Sequence, residues 1–310
     1  MKSAIAIITY NRVHALQEML RGIDAHCAQY PLAIFDDLSN RDGTEKFLRT
    51  GMSATKPRPD LMAEELSEKS GSPRPPRKHF LGTHNLGVTG NSNRALKWLM
   101  DETDAEHFIL CNDDLHVTGD FVQFYGKAHV DLQVGMFCFC DFTHHPSYQW
   151  VDINQRGYRI KLCPRMTGIM ISMHRKVAEQ IGYFDTVFTK FGEEHCDFTN
   201  RARLVGAISL SGMMQTQIDL HHNLIGQPEQ VLLKHQEVET SMTGPERKRA
   251  DQESYGIMQA VGQSYHYRDV YRPFGLHRPK FVGATREAGI PADQISSTYD
   301  LVTDFTPRPL

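Results

Sequence analysis

Two stretches of the chain carry residue types that could do chemistry. In the first, Asn112, Asp113 and Asp114 follow directly on the apolar run Phe108-Ile109-Leu110. Adjacent carboxylates repel unless a cation or hydrogen-bond donors compensate them. A hard divalent ion that also holds a diphosphate meets that need, and a solvated acidic turn is the plainer use of the same residues. In the second, Phe191 to Arg201, a helix would put Glu194, Asp197 and Arg201 on one face and Phe198, Ala202 and Val205 on its apolar neighbour. The carboxylates would then lie near the helix start, where the dipole favours negative charge. The modest alternative is an exposed Asp197–Arg201 pair, worth about 0.3–0.5 kcal/mol. Asp219, His221 and His222 form a third cluster with metal-ligand chemistry, although with 16 histidines in the chain a chance pair is also in play. Tyr265 to Arg272 is basic and aromatic, suited to packing or to lining a sugar or anion site.

The elements that must position these residues read as alternating strands and helices. Residues 3 to 9 form a buried strand, and a helix from about Asn11 follows with Val13, Leu16, Leu20 and Ile23 on one face. Leu32 to Phe35 is a second strand. It ends in Asp36 and Asp37, and the turn-rich Ser39 to Thr44 leads to a helix near Thr44. Strand ends followed by polar loops and helices predict a parallel α/β sheet, so the acids at 113 and 114 fall at its carboxyl edge, where ligands bind in open sheets. Residues 52–78, with scattered charge and proline, are a polar insertion with at most a short helix at Glu64 to Glu68. The pattern resumes at His79 to Leu81. The loop Asn85-Leu86-Gly87 then opens a helix carrying Ala95, Leu96, Leu99 and Met100, and such a loop can bring backbone N–H groups to an anion. Further expected elements are a helix from Asp120, a strand at Val134 to Cys140, a hairpin around Asn154 to Gly157, an apolar segment at Met166 to Met173, and a helix from Arg175 ending at Gly182. A charged helix at 245 to 262 comes last, before a frayed tail at 304 to 310.

Composition narrows the class. Hydrophobic content of 40% and charged content of 23% are ordinary for a globular chain of 310 residues. A net charge of -3 gives no overall basic footprint for nucleic acid. The six cysteines contain no CxxC pair and read as free thiols of a reducing, cytoplasmic compartment. No secretory leader and no membrane span is expected.

Taken in order, the motifs resemble those of the large family-2 type of inverting glycosyltransferases with a GT-A fold. Ile7-Ile8-Thr9-Tyr10-Asn11-Arg12 resembles the family's opening strand and nucleotide-facing loop. Asp37, with Asp42-Gly43-Thr44 behind it, resembles the family's Asp-x-Gly-Ser-x-Asp-Gly-Thr, with Ser39 and Asn40 in place of Gly and Ser. Asn85-Leu86-Gly87, with Asn93 and Arg94, resembles its Asn-Leu-Gly loop and helix. Asn112-Asp113-Asp114 resembles the DXD motif, and Gly182-Tyr183-Phe184-Asp185 followed by Gly192-Glu193-Glu194 resembles the approach to its Glu-Asp catalytic motif.

The resemblance implies an α/β fold, a GT-A-type open mixed sheet with a Rossmann-like nucleotide-binding half, flanked by helices. It covers residues 1–225 as a glycosyltransferase domain and leaves 226–310 as a C-terminal helical or irregular extension, on the acceptor side or packing. It implies a nucleotide-sugar donor, with UDP favoured, held by Thr9, Tyr10, Asn11, Arg12, Asp37, Asn85, Gly87, Asn93, Arg94, Asn112 and Asp113. It also implies Mn²⁺ or Mg²⁺ on Asp114 with His221 or His222, and a glycan or other hydroxyl acceptor. Glu194 is the favoured general base because it is an acid in either register of the motif; His195 and Glu193 are its rivals. Two other readings use the same residues: a non-catalytic nucleotide-sugar-binding module of the same fold, and a metal-dependent nucleotidyltransferase. The second wants a glycine-rich phosphate loop after the first strand, and Thr9-Tyr10-Asn11-Arg12 has no glycine.

Overall fold

The computed structural model describes residues 1–50, 75, 77–139, 151–155, 157–163, 168–185, 188, 192–204, 207, 221–224, 232–236 and 244–262. Their strands are β1 (Ser3–Thr9), β2 (Leu32–Asp36), β3 (Lys78–Leu81), β4 (His107–Asn112), β5 (Leu115–Val117), β6 (Met136–Phe139), β7 (Val151–Gln155), β8 (Tyr158–Cys163), β9 (Met170–His174), β10 (His221–Leu224) and β11 (Leu233–His235). The helices are α1 (Val13–His26), α2 (Thr44–Thr50), α3 (Gly87–Asp101), α4 (Phe121–Leu132), α5 (Arg175–Ile181), α6 (Glu194–Leu204) and α7 (Gly244–Gly262). Nine strands form one sheet in the order β3-β2-β1-β4-β9-β6-β10-β8-β7, and β11 pairs with β5 in a separate ribbon.

The sheet has two halves of different character. β3, β2, β1 and β4 run parallel, and from β9 onward most pairs are antiparallel. Thr9 lies opposite Asp36, and Ile8 opposite Asn112, so the carboxyl ends of β1, β2 and β4 are level. β9 runs against β4 with Met170 opposite Cys111, which brings the start of β9 to that same edge.

Strand alternation sorts the core into two faces. On one, Ile5, Ile7, Ile34 and Ile109 pack against Leu16, Met19, Leu20 and Ile23 of α1 and Phe121 and Tyr125 of α4. On the other, the small Ala4, Ala6 and Ala33 leave room for Phe35, Phe80 and Trp98, with Leu96 and Leu99 of α3 and Phe198 and Ala202 of α6. α1 lies so close to β5 that a Cβ on Gly22 would stand 2.5 Å from the Val117 carbonyl oxygen. Arg175, at the start of α5, gives its guanidinium to the carbonyls of Leu99, Met100, Thr103 and Ala105, which satisfies the open C-terminal end of α3.

Most expected elements are present, including the 151–163 hairpin and the α5 stop at Gly182, whose φ is 75°. Two details differ. A further strand, β5, stands between the acidic turn and the helix expected from Asp120. Lys78, expected inside the polar insertion, opens β3. His221 and His222 lie within β10. The helix expected at 64 to 68, the aromatic stretch 265 to 272 and the tail 304 to 310 fall outside the described residues.

Candidate functional site

The level carboxyl edge is stitched together by side chains of the loops leaving β1 and β2. Asn11 adopts φ 51°, a left-handed conformation that asparagine tolerates. Its Oδ1 accepts from the backbone N–H groups of Asn40 and Arg41, and its own N–H donates to Ser39 Oγ at 2.6 Å. Asp42 accepts from the Val13 N–H at 2.5 Å and from the Thr44 N–H and hydroxyl, so one carboxylate satisfies donors at the starts of both α1 and α2. Tyr10 is half-buried between these anchors.

Asp37 is buried and accepts from Leu86 N–H at 2.7 Å and Gly87 N–H at 2.8 Å, at the start of α3. Burial pushes its carboxyl up to about 7 against the pull of those donors. Its two oxygens thus hold the Asn-Leu-Gly loop in place, with the exposed Asn85 accepting from Gly87 N–H at 3.2 Å. The side chains of Asn93 and Arg94, expected at the donor, make buried bonds within the chain. Both ends of the Asn93 amide bind the Phe184 backbone, and Arg94 donates to the Asp36 carbonyl and to Asn91.

The acid turn joins β4 to β5. Asp113 is fully enclosed and accepts from the Thr9 hydroxyl at 2.5 Å and from Arg12 Nη1 at 3.3 Å. Burial pushes Asp113 up to about 7, while Arg12 works the other way. The same Arg12 nitrogen reaches Asp114 Oδ2 at 2.9 Å. The cation that the paired acids require is therefore supplied within the chain. Burial works against the Arg12 charge, but Asp113 and Asp114 together hold its pKa above the ordinary arginine value.

Sequence reasoning missed a neighbour. His235 on β11 places Nε2 3.5 Å from Asp114 Oδ2, and Gln236 N–H donates to the Asp114 carbonyl at 2.7 Å. Its signal was only three strand-like residues, Leu-Lys-His, inside a stretch assigned to the extension. The side chains of His221 and His222, the histidines expected here, fall outside the described residues.

Asp114 supplies the test of a metal site. It is 6% exposed, and its Oδ1 has no hydrogen-bond partner among the described residues. No group of three or more His, Cys, Asp or Glu side chains arranged for a metal occurs among the described residues. A Mg²⁺-like ion on a diphosphate needs only one or two carboxylates, the phosphates and water completing its shell. The open oxygen with Asp113 and His235 close by fits that demand.

The second chemical stretch arrives at the same edge. Asn112 N–H bonds the Ile169 carbonyl at 2.9 Å, and beside Ile169 lies Gly168, against which the His195 ring packs so tightly that a Cβ there would fall 1.8 Å from it. Gly192 at φ 99° and Glu193 at φ 60° turn the chain into α6, and the Glu193 carbonyl accepts from Asp197 N–H. A left-handed glutamate is uncommon and marks a conformation imposed by its surroundings. Glu194, 3% exposed, has Oε1 3.3 Å from His195 Nε2. The His195 ring stands edge-on to Phe184, which stacks on Phe198 at 4.1 Å, and burial lowers its pKa to about 4. The side chain of Arg201 falls outside the described residues.

The architecture is that of a GT-A-like mixed α/β sheet. TarS from S. aureus superposes with a TM-score of 0.50 at 12% identity, over 86% of this chain and 40% of that one. Mannosyltransferase PcManGT from Pyrobaculum calidifontis, in complex with GDP-Man and Mn²⁺, scores 0.48 at 14% identity over 98% of this chain and 69% of its own. GalNAc-T7 with UDP, GalNAc and Mn²⁺ scores 0.49 at 11% identity over 99% of this chain and 55% of its own. These likenesses speak to the fold alone. No protein-family model and no curated sequence matches the chain.

Proposed function

We propose that the chain is a metal-dependent, inverting glycosyltransferase of the family-2 type that moves a sugar from a nucleoside-diphosphate donor, UDP-sugar favoured, to a hydroxyl acceptor. One observation carries the reading: the Asp113–Asp114 turn and the Glu194–His195 start of α6 meet at the carboxyl edge of the parallel half-sheet, through Asn112, Ile169 and Gly168. Nucleotides bind open sheets at that edge. TarS, whose fold this chain shares, binds UDP-GlcNAc, a donor of that kind.

Asp114 would hold the divalent ion, with Asp113 behind it and His235 beside it; when bound, such an ion offsets negative charge developing on the leaving diphosphate. Thr9 and Arg12 keep Asp113 in place, and the anchored loops at Asn11 and Asp37 fix the walls around the nucleotide. Glu194 takes the proton from the acceptor hydroxyl as that oxygen attacks the anomeric carbon from the face opposite the leaving group, which inverts it. His195 is the weaker candidate because a ring whose pKa is lowered to about 4 accepts a proton poorly at neutral pH. Its place against Glu194 suits it to orient that carboxylate.

The test is a thermal-shift panel of UDP, GDP, dTDP and CDP with and without Mn²⁺. A nucleotide at about 100 times its dissociation constant adds about 2.7 kcal/mol to the folded state. The expected result is stabilisation by one nucleotide that needs the metal and disappears in Asp114→Ala. Glu194→Gln should keep that binding and lose transfer. No shift with any nucleotide would overturn the donor site, and binding without turnover or donor hydrolysis would leave a binding module.

A further inference from the structure

Arg12, which keeps Asp113 in place in the proposed reaction, also reaches the second acid of the turn. One of its nitrogens contacts both acids, at 2.9 Å from Asp114 and 3.3 Å from Asp113. The side chains of Asp113 and Asp114 are 2% and 9% exposed, and that of Arg12 is 22% exposed. The guanidinium therefore forms the outer, solvent-facing end of a buried triad. Its charge is the neutralising one: two carboxylates out of water need a cation, and among the described residues the guanidinium is the fixed positive charge that the structure puts on them. His235 adds to it only when protonated.

The backbone around Arg12 is secured without its side chain. Arg12 is the N-cap of α1, and its side chain makes no capping bond. Asn11 N–H is held by Ser39, and Val13 N–H by Asp42. The head group can consequently swing away while the loop stays. Asp114 Oδ1 remains without a hydrogen-bond partner among the described residues, so the carboxylate is half used. A divalent ion approaching that oxygen meets a guanidinium already on its twin. Like charges so close oppose each other, and a diphosphate arriving with the metal offers Arg12 the planar, bidentate acceptor that it prefers.

We infer that Arg12 is a resident counter-ion of the acid turn, which keeps divalent metal off Asp114 in the empty protein and moves to the diphosphate when metal and donor bind together. This deepens the reading above and rests on it for the identity of the anion. Metal and nucleotide are then thermodynamically coupled through one side chain, each raising the affinity for the other by the same factor.

The experiment measures Mn²⁺ binding to the nucleotide-free full chain, by electron paramagnetic resonance of the free ion, in wild type, Arg12→Gln and Arg12→Lys. With the counter-ion gone, Arg12→Gln should bind Mn²⁺ at least about tenfold more tightly. Arg12→Lys, which keeps the charge, should stay within about threefold of wild type. Adding UDP or GDP should tighten Mn²⁺ binding more in wild type than in Arg12→Gln. Arg12→Met, a neutral side chain of similar length, gives the same comparison if the glutamine variant does not fold. Unchanged or weaker Mn²⁺ binding in the neutral variants would overturn the inference, as would a gain in Arg12→Lys equal to that in Arg12→Gln. Failure of every nucleotide to bind wild type would instead count against the donor reading, and the metal-only comparison would still decide whether Arg12 guards Asp114.

Discussion

Strands β1, β4 and β9 carry two buried polar clusters, one toward the amino end of β1 and β4 and one at their carboxyl end. In the first, the Val134 carbonyl can only accept, so His129 donates to it from Nδ1 at 2.5 Å. With neutral rings, His129 Nε2 must then accept from the Ser172 hydroxyl, which in turn accepts from His107 Nε2, both at 2.8 Å. His107 Nδ1 is left to accept from Ser3 at 2.9 Å. Each ring nitrogen has one role and one partner, Ser172 Oγ both donates and accepts, and the chain of bonds runs from Ser3 to the Val134 carbonyl with no ring nitrogen left open. At the carboxyl end, Asp114 Oδ1, Asp36 Oδ1 and Asn11 Nδ2 are buried with no hydrogen-bond partner among the described residues. Leaving a buried polar atom unpaired costs about 1–3 kcal/mol. On the proposed function a ligand or ion would supply those partners, and the satisfied cluster needs none.

The two ends also titrate in opposite senses. The Asp37 carboxyl is raised to about 7 from 3.8, so the folded state binds more protons than the unfolded chain between those values, and its contribution falls as pH rises through them. Asp37→Asn should therefore gain stability relative to wild type between pH 4 and 7, by up to about 4 kcal/mol. Urea midpoints across that range check it, and a flat difference would remove Asp37 from the comparison. Burial lowers His129 to about 4 from 6.5, so the unfolded chain binds the extra proton and stability falls as pH drops through that window. The stability advantage of wild type over His129→Gln should shrink by about 3 kcal/mol between pH 6.5 and pH 4.

Packing gives the next test. Gly168→Ala drives a Cβ into the His195 ring and must shift the start of α6. Misplacing reacting groups by about 1 Å can cost roughly 100-fold in turnover. Transfer measured in this variant should fall by about that factor while nucleotide-dependent stabilisation persists; loss of both would make Gly168 part of the donor site. The mildest change is at the closed end. Ser172→Val removes the link between His107 and His129 and should cost about 1–3 kcal/mol in chemical denaturation, with nucleotide binding unaltered. A change in nucleotide affinity there would break the division between the two ends.

The sequence by itself determined the parallel half of the sheet, because apolar runs ending in polar loops before amphipathic helices have few other solutions. It also marked Asp113 and Asp114, since acids at the end of an apolar run stand out in one dimension, while Glu194 was marked by the family resemblance. Tertiary structure decided what these residues touch. Asn93 and Arg94 read as ligand contacts, yet their side chains bind the backbones of Phe184 and Asp36, on segments that pairing and packing bring alongside α3. Asp37 read as a donor contact, and in the fold its carboxylate holds the Leu86 and Gly87 amides. His235 carried almost no signal, because its position depends on β11 pairing with β5 across more than a hundred residues of chain. Arg12 read as one of four loop residues, and only the folded turn places its charge on both acids. Local pattern fixes where strands and helices form. Which polar atoms remain open is settled by long-range contacts, because each bond that closes one of them comes from a different part of the chain.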